Sequence, residues 1–440
     1  MMEAMPLILF GVLFVLLLFG YPVAFTLGGV SFILGYLTFG ANFFNLLPLR
    51  IWGVMTNYVL IAVPLFVFMG VMLEKSGLAE ALLETMAFLF GRIRGGLAIS
   101  VVMVGAMLGA STGIVGATVV TMGLLSLPTM LKRGYKPELA TGTIAASGTL
   151  GQIIPPSIVL VLLGSVLNVS IGDMFVGAVI PGMLLVALYM AWLAVMAIFK
   201  PEWAPAMPEM ELAHFRRDGM VGRIFKAFIL PAVLVVAVLG SIFMGVASPT
   251  EAAAVGALGS TLLTLAQGRF SLQTLKEVMA ETTHLTCMVF VILVGASAFG
   301  LVFRGMHGDA YLTSLILDAK MGPHAFLALT MLMIFVAGFF IDFIEITFII
   351  VPVVAPIFVT LGIDLLWLGI LVALNLQTSF LTPPFGFALF YLKGVAPPEI
   401  STGHIYRGIF PFILIQLLCL GLVIAFPELA TWLPEYLSRP

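Results

Sequence analysis

The stretch Ser147-Gly148-Thr149-Leu150-Gly151-Gln152-Ile153-Ile154-Pro155-Pro156-Ser157 places two adjacent prolines inside an otherwise apolar run, and Asn375-Leu376-Gln377-Thr378-Ser379-Phe380-Leu381-Thr382-Pro383-Pro384 does so again. Proline lacks the backbone donor a helix needs, and its ring displaces the carbonyl four residues earlier. Each stretch therefore reads as a helix broken in its middle, with carbonyls freed near Gly151 and Gln152 in the first. The breaks lie 383 − 155 = 228 residues apart, and Pro128 and Pro356, Gly134 and Gly362, and Gly77 and Gly305 keep the same offset. One chain thus holds two copies of a unit whose helices are interrupted at matching places, the plan of many secondary transporters.

Composition agrees. Of 440 residues, 62% are apolar and 9% charged, where a soluble domain carries about 25% charge; the reading is an all-α polytopic membrane protein. A net charge of −2 offers no basic surface for nucleic acid. Cys287 and Cys419 stand alone in apolar runs and read as small buried hydrophobes, not as a disulfide or metal framework. The first twenty residues lack a basic start and a small-residue cleavage site, so Leu7 to Phe19 is expected to be a retained span.

A hydrocarbon core of roughly 30 Å is crossed by about 20 apolar residues in a helix. On that ruler spans are expected near 6–20, 23–39, 58–75, 138–164, 173–199, 225–244, 251–266, 283–303, 364–393 and 405–426, the first two flanking Gly20-Tyr21-Pro22 as two helices or one long bent one. Two further apolar stretches, 96–131 and 324–360, carry a polar or glycine-rich centre: Gly109-Ala110-Ser111-Thr112-Gly113 and Ile341-Asp342-Phe343-Ile344-Glu345. Each arm, about 15 residues or roughly 22 Å of helix, is short of a crossing, so re-entrant hairpins are expected.

Lys and Arg concentrate on the cytoplasmic side of membrane proteins. With hairpins that return to the side they entered, 15 of the 19 Lys and Arg residues share one face, and Arg50, Arg304, Lys320 and Arg439 take the other. The first face is then cytoplasmic. Accepting both 225–244 and 251–266 as crossings starts the second copy in the opposite orientation, which makes the repeat inverted. The charged, proline-bearing stretch 200–226 is the linker between halves.

Non-helical backbone survives at membrane depth only where protein or a water-filled cavity satisfies it. The breaks and hairpin tips are therefore the candidate site. Freed carbonyls with Ser, Thr and Asn oxygens form a neutral all-oxygen shell suited to sodium, while helix N-termini suit an anion. Ser111, Thr112, Gly113 and Gly116 are expected to face the first break, and Asp342, Glu345 and Thr347 the second. A plainer reading gives small residues to close packing and hydroxyls to their own helices; the pairing of each cluster with a repeat-related broken helix favours a site. Asp342 and Glu345, three apart, share a helix side, where they would bind a cation, relay a proton or bond the hairpin backbone. Glu251, in Ser248-Pro249-Thr250-Glu251, reads as a helix start. His284, His307 and His324 lie near expected span or hairpin ends without metal-ligand spacing and read as interfacial side chains. No Walker pattern, dinucleotide fingerprint or nucleophile elbow occurs, so nothing here supports ATP drive. Two alternatives stay open: a self-sufficient ion-coupled carboxylate exchanger, and an intramembrane aspartyl-type enzyme whose two carboxyl groups share a proton.

The stretches Gly109 to Gly113, Gly151 to Ser157, Ala247 to Ala252 and Asn375 to Pro384 resemble the large membrane (M-type, DctM-like) subunit of tripartite ATP-independent periplasmic (TRAP) transporters, over nearly the whole chain. The resemblance implies a transporter of the bacterial inner membrane, not an enzyme, that imports an organic acid with sodium ions. It also implies a small four-helix (Q-type) membrane subunit and a periplasmic (P-type) substrate-binding protein as partners. The implied inverted-repeat elevator fold has a transport domain that slides against a scaffold. The scaffold takes 1–57, 165–282 and 394–440; the repeats take 58–164 (hairpin 96–131, broken helix 138–164) and 283–393 (hairpin 324–360, broken helix 364–393). The implied sodium positions are Ser111, Thr112, Gly113, Gly148, Thr149 and Gly151 for one site, and Asp342, Asn375, Gln377, Thr378, Ser379 and Thr382 for the other. Substrate contacts fall to Gly148, Thr149, Gln152, Asn375 and Thr378. The second tip departs from the commoner small-residue pattern, because Phe343-Ile344-Glu345-Ile346 is bulkier and adds an acid. That variant is more like subgroups associated with 2-oxo acids, other small carboxylates or aromatic acids.

Overall fold

The computed structural model describes residues 5–112, 115–209 and 220–437. Its helices are α1 (Met5–Leu18), α2 (Val23–Phe39), α3 (Leu47–Met55), α4 (Ala62–Lys75), α5 (Leu78–Phe90), α6 (Gly96–Thr112), α7 (Val115–Lys132), α8 (Pro137–Thr149), α9 (Ile158–Leu167) and α10 (Ile171–Phe199). The second half continues with α11 (Leu230–Phe243), α12 (Pro249–Ala266), α13 (Leu272–Gly305), α14 (Gly308–Asp318), α15 (Pro323–Ala337), α16 (Phe343–Ile349), α17 (Val351–Thr360), α18 (Leu365–Leu381), α19 (Phe387–Val395), α20 (Thr402–Ala425) and α21 (Glu428–Leu437). Among the described residues six helices are long and apolar enough to cross a bilayer, and α16 and α17 form a further candidate bent by 49°. The protein is a multi-pass, all-helical membrane protein.

Duplication shows in the element borders. Shifted by 228, α7 covers 343–360, the combined extent of α16 and α17; α8 then starts at 365 with α18, and α9 covers 386–395 against α19 at 387–395. Gly134 and Gly362 both take positive φ, +78° and +72°, just past those paired helices, and both Pro-Pro bonds are cis. Pro128 and Pro356 both lie inside helices. The fourth landmark carries less: Gly77 has φ +70°, whereas Gly305 ends α13 and the positive φ falls on His307. The short helices α5 and α14, below the length of a crossing, form a repeat-related pair that the span ruler passed over.

The elbow Gly20-Tyr21-Pro22 separates α1 from α2, with Gly20 at φ +80°. The uncertain pair near 225–266 forms two helices, α11 and α12, packed on each other. A capping box starts α12: Glu251 N–H donates to Ser248 Oγ (3.3 Å) and Ser248 N–H to Glu251 Oε2 (2.8 Å), as the helix-start reading of Glu251 required. Helix α13 starts at Leu272, not near 283, and at 34 residues it is about 51 Å long, beyond the hydrocarbon thickness. Its early turns hold Glu281, paired with Lys75 at 3.2 Å, and its last residues place Arg304 beside the cavity that Arg50 also lines. Lys75 and Arg50 thus stand at opposite ends of one helix, as the charge sorting demands.

Both outer ends of the α6–α7 pair hang on one segment. Gly95 N–H donates to the Ala204 carbonyl (2.9 Å), Lys136 N–H to the Trp203 carbonyl (3.1 Å), and Met207 N–H to the Gly91 carbonyl (2.8 Å). Lys136 and Lys200 lie 3.6 and 4.0 Å from the Trp203 ring centroid. Of the linker 200–226, residues 210–219 lie outside the described residues.

Packing gathers most helices around two centres. Helices α2, α3 and α4 lie on α13, with α12 on α4; α6 to α10 gather with α18 to α20, and α4 also packs on α6, which joins the two. Helices α10 and α20, expected in the scaffold, pack against the broken helices. For α20 the approach is a glycine crossing: α8 and α20 meet at Gly142 and Gly408, where a Cβ on Gly408 would sit 3.0 Å from the Gly142 nitrogen. Small residues let membrane helices approach this closely.

Candidate functional site

The first break is a buried, turned connection. Helix α8 ends at Thr149, one 3₁₀ turn covers Leu150–Gln152, and α9 begins at Ile158. Ser147, Thr149, Gln152 and Ser157 are all fully buried. The Gln152 carbonyl, expected to be freed, accepts from Ser157 Oγ at 2.8 Å, so the sequence supplies its own partner five residues on. The Gln152 side chain has no such partner: neither amide atom is hydrogen-bonded. Thr149 Oγ1 donates to the Ala146 carbonyl at 2.9 Å.

Backbone-to-backbone contact seats the α6–α7 pair on this break. A Cβ on Gly109 would lie 2.5 Å from the Gly151 nitrogen, and one on Gly105 would lie 2.6 Å from Ser147 Cβ. Gly148 faces Val119 of α7, whose Cα would be 3.0 Å away. Gly148 and Gly151 therefore serve first as close-packing positions. Of the tip itself, Gly113 lies outside the described residues, and Ser111 and Thr112 form the end of α6. Gly116 does not face the first break. A Cβ there would lie 3.0 Å from the Tyr391 ring on α19, so the returning arm packs across onto the other repeat. Helix α16 does the same toward α9.

The second break follows α18. Asn375, Gln377, Thr378 and Ser379 are buried along it. Asn375 Nδ2 donates to the Met331 carbonyl of α15 at 2.7 Å. Three hydroxyls bond back along the chain, Thr378 to Leu374 O, Ser379 to Leu376 O and Thr382 to Thr378 O, each at 2.8 Å. This is the plainer use of hydroxyls in a membrane helix. The Pro384 carbonyl accepts from Tyr406 Oη at 3.0 Å. Gln377 is the exception: its Nε2 donates to Thr149 Oγ1 at 3.3 Å, and its Oε1 has no partner. The two breaks thus meet through their polar side chains, and the unpaired amide atoms of Gln152 and Gln377 are buried at that meeting.

The second tip sits beside the second break, with the Phe340 and Phe385 rings 5.2 Å apart. Asp342 and Glu345 form the capping box of α16: Phe343 N–H donates to Asp342 Oδ1 at 2.7 Å, and Asp342 N–H donates to Glu345. The carboxyl pair bonds the tip backbone, one of the roles the sequence left open. An Asp followed three residues later by Glu before an apolar run is a capping signature. Thr347 Oγ1 is fully buried without a partner. Asp342 and Glu345 also line a cavity of about 650 Å³ under the α1–α2 elbow, shared with His284 and Cys287. His284 is therefore interior to α13, not at a helix end, because that helix begins twelve residues before it. Among the described residues no group of three His, Cys, Asp or Glu side chains gathers to hold a metal; the available oxygens are carbonyls, hydroxyls and amides, with the carboxylates of Asp342 and Glu345 at the second tip.

Comparison with known proteins gives one consistent result. The family described as "Tripartite ATP-independent periplasmic transporter, DctM component" matches residues 10–429. The chain is 32% identical over 411 residues to a C4-dicarboxylate TRAP transporter large permease protein of Pseudomonas aeruginosa, covering 93% of this chain and 94% of the relative. It is 31% identical to a sialic acid TRAP transporter large permease protein of Vibrio cholerae, covering 96% of each. Among solved structures, the Alcanivorax borkumensis YdaH transporter superposes with a TM-score of 0.64 at 16% identity, over 94% of this chain and 99% of that one, a likeness of fold alone.

Proposed function

Because the chain belongs to the DctM-component family of tripartite ATP-independent periplasmic transporters, we propose that this large permease subunit imports an organic acid together with sodium ions through the bacterial inner membrane. The single observation that carries the reading is the junction of the two broken helices. There Gln377 reaches Thr149, while buried amide atoms of Gln152 and Gln377 are left without partners. A buried, unpaired amide costs about 1–3 kcal/mol, a cost that persists most readily where a polar ligand offsets it. The relatives named for C4-dicarboxylate and sialic acid handle carboxylic acids, and a carboxylate accepts from an amide N–H while sodium takes oxygen. Gln152 and Gln377 offer both kinds of atom. Each sodium shell would draw on carbonyls of one break and its tip: Ser111 to Gly113 with Gly148 to Gly151, and the Asp342 tip with Asn375 to Thr382.

In this reading α6 to α10 and α15 to α20 move as the transport group, and α1 to α4 with α11 to α13 hold still. The bonds that tie both ends of the α6–α7 pair to residues 203 and 204 support a re-entrant hairpin, and the Phe326–Phe358 contact at 4.7 Å supports the same for the second. A monocarboxylate entering against an inside-negative potential is opposed by about 2.3 kcal/mol per 100 mV, and two accompanying sodium ions reverse that sign. A binding protein would deliver the acid, and a small membrane subunit would complete the assembly. The test is uptake into proteoliposomes holding both membrane subunits, with the loaded binding protein outside. Sodium-dependent uptake is expected; full uptake with choline replacing sodium at constant pH would overturn the coupling.

A further inference from the structure

Away from the junction, a second cavity of about 650 Å³ opens where the approach to α11, the end of α12 and the flank of α5 come together. Arg223, Lys226 and Arg269 line it, and Glu84 is the one acid among the described lining residues. Arg223 and Lys226 are three apart on one helical stretch, so both side chains leave the same side. The chain widens at this point: Phe225–Ile229 form a π-helical turn, and the Lys226 carbonyl accepts from Gln267 Nε2 at 2.9 Å, which fixes the turn to the end of α12. Arg269 spends Nη1 on the Ser76 and Gly77 carbonyls, at 3.2 and 2.6 Å. A guanidinium has five N–H donors, so donors of Arg269 remain for a guest.

The helical stretch that brings Arg223 and Lys226 to the cavity carries an exposed apolar stripe. From the π-turn upward, Phe225, Ile229, Val233 and Val236 are 53, 37, 56 and 67% exposed, and only 17% of this span is buried among the described residues. Their spacing of four, four and three places them in one stripe along the helix, on the order of 16 Å long. That stripe runs into the membrane from the same end that carries Lys75 and Arg269, because Arg269 bonds the carbonyls that follow Lys75. Cations above an apolar track match an anionic headgroup above its hydrocarbon. Basic pockets between membrane helices on the cytoplasmic side take such headgroups.

We propose that this cavity binds the phosphodiester of an anionic phospholipid, with its acyl chain laid along Phe225, Ile229, Val233 and Val236. The site is separate from the transport junction and stands whether or not the sodium reading does. Native mass spectrometry of the purified full chain, titrated with phosphatidylglycerol or phosphatidylcholine, tests it. Phosphatidylglycerol is expected to be retained and phosphatidylcholine is not. The variant Arg223→Gln/Lys226→Gln should bind phosphatidylglycerol roughly 30-fold more weakly, from about one cation's worth of attraction for each residue; Arg223→Lys/Lys226→Arg should keep it. Val233→Asn/Val236→Asn, which leaves every cation in place, should also weaken lipid binding. Equal retention of the two lipids, wild-type affinity in the glutamine variant, or glycerol 3-phosphate competing at the lipid's own affinity would each overturn the proposal, the last by assigning a soluble phosphate site. A small membrane subunit that displaces the lipid equally from wild type and glutamine variant would overturn it too, by assigning the face to protein.

Discussion

Thr149 and Gln377 occupy equivalent positions in the two repeats, 228 residues apart, and they touch: Gln377 Nε2 donates to Thr149 Oγ1 across 3.3 Å. Duplicated halves related by a two-fold axis bring equivalent residues together only near that axis. The contact joins equivalent turns of the two copies, where the polar side chains of both broken helices are buried.

Replacing Gln152 by Leu separates function from stability at this centre. Leucine fills most of the volume and removes two unpaired buried polar atoms, so the variant should be as stable as wild type or up to about 1–3 kcal/mol more stable. Uptake should fall at least tenfold. A thermal melt beside a transport assay decides it; unchanged uptake would remove Gln152 from the site.

Asp342 holds a charge and a cap in one side chain. Asn caps a helix as well as Asp does, whereas Ala forfeits about 1 kcal/mol. Asp342→Asn should therefore melt like wild type yet require more sodium for half-maximal uptake, while Asp342→Ala should lose on both counts. If Asp342→Asn keeps the wild-type sodium dependence, the carboxylate is a cap and nothing more.

Thr121 Oγ1 donates to Glu74 Oε1 at 2.6 Å, joining α7 to α4 across the boundary between the two packing groups. A hydrogen bond to a charged group contributes about 1.5–3 kcal/mol. Under sliding of one group on the other, Thr121→Val should shift the population away from this arrangement. Spin labels on α4 and α7 should report a new distance; an unchanged distribution would place both helices in one rigid body.

Gly109 admits no side chain, since its Cβ would lie 2.5 Å from the Gly151 nitrogen, an atom that cannot turn aside. Gly109→Ala should cost about 1–3 kcal/mol through overpacking and abolish uptake by lifting the tip from the break. Wild-type melting would show that the contact is not this close.

Much of the fold was legible because broken helices announce themselves through proline and glycine, and because a single offset repeats them. The borders of α7 and α9 and the start of α8 fall within a residue of their counterparts. What stayed hidden depends on partners far along the chain. Nothing near Pro384 says that Tyr406 will take its carbonyl, and Gly116 gives no local sign that it meets Tyr391. An apolar span looks alike whatever it packs on, so the crossing of α8 and α20 at Gly142 and Gly408 emerges only in three dimensions. Glu345 is a different case: of the three roles its sequence leaves open, the structure shows the bond to the tip backbone.

The stitching of Gly91, Gly95 and Lys136 to residues 203, 204 and 207 couples the segment around Trp203 to the outer ends of α6 and α7, so that the three can travel only as one piece. Under the proposed sliding of α6 to α10, a fluorophore beside Trp203 would act as a pointer on a dial, its shift reading out the travel of both helices at once.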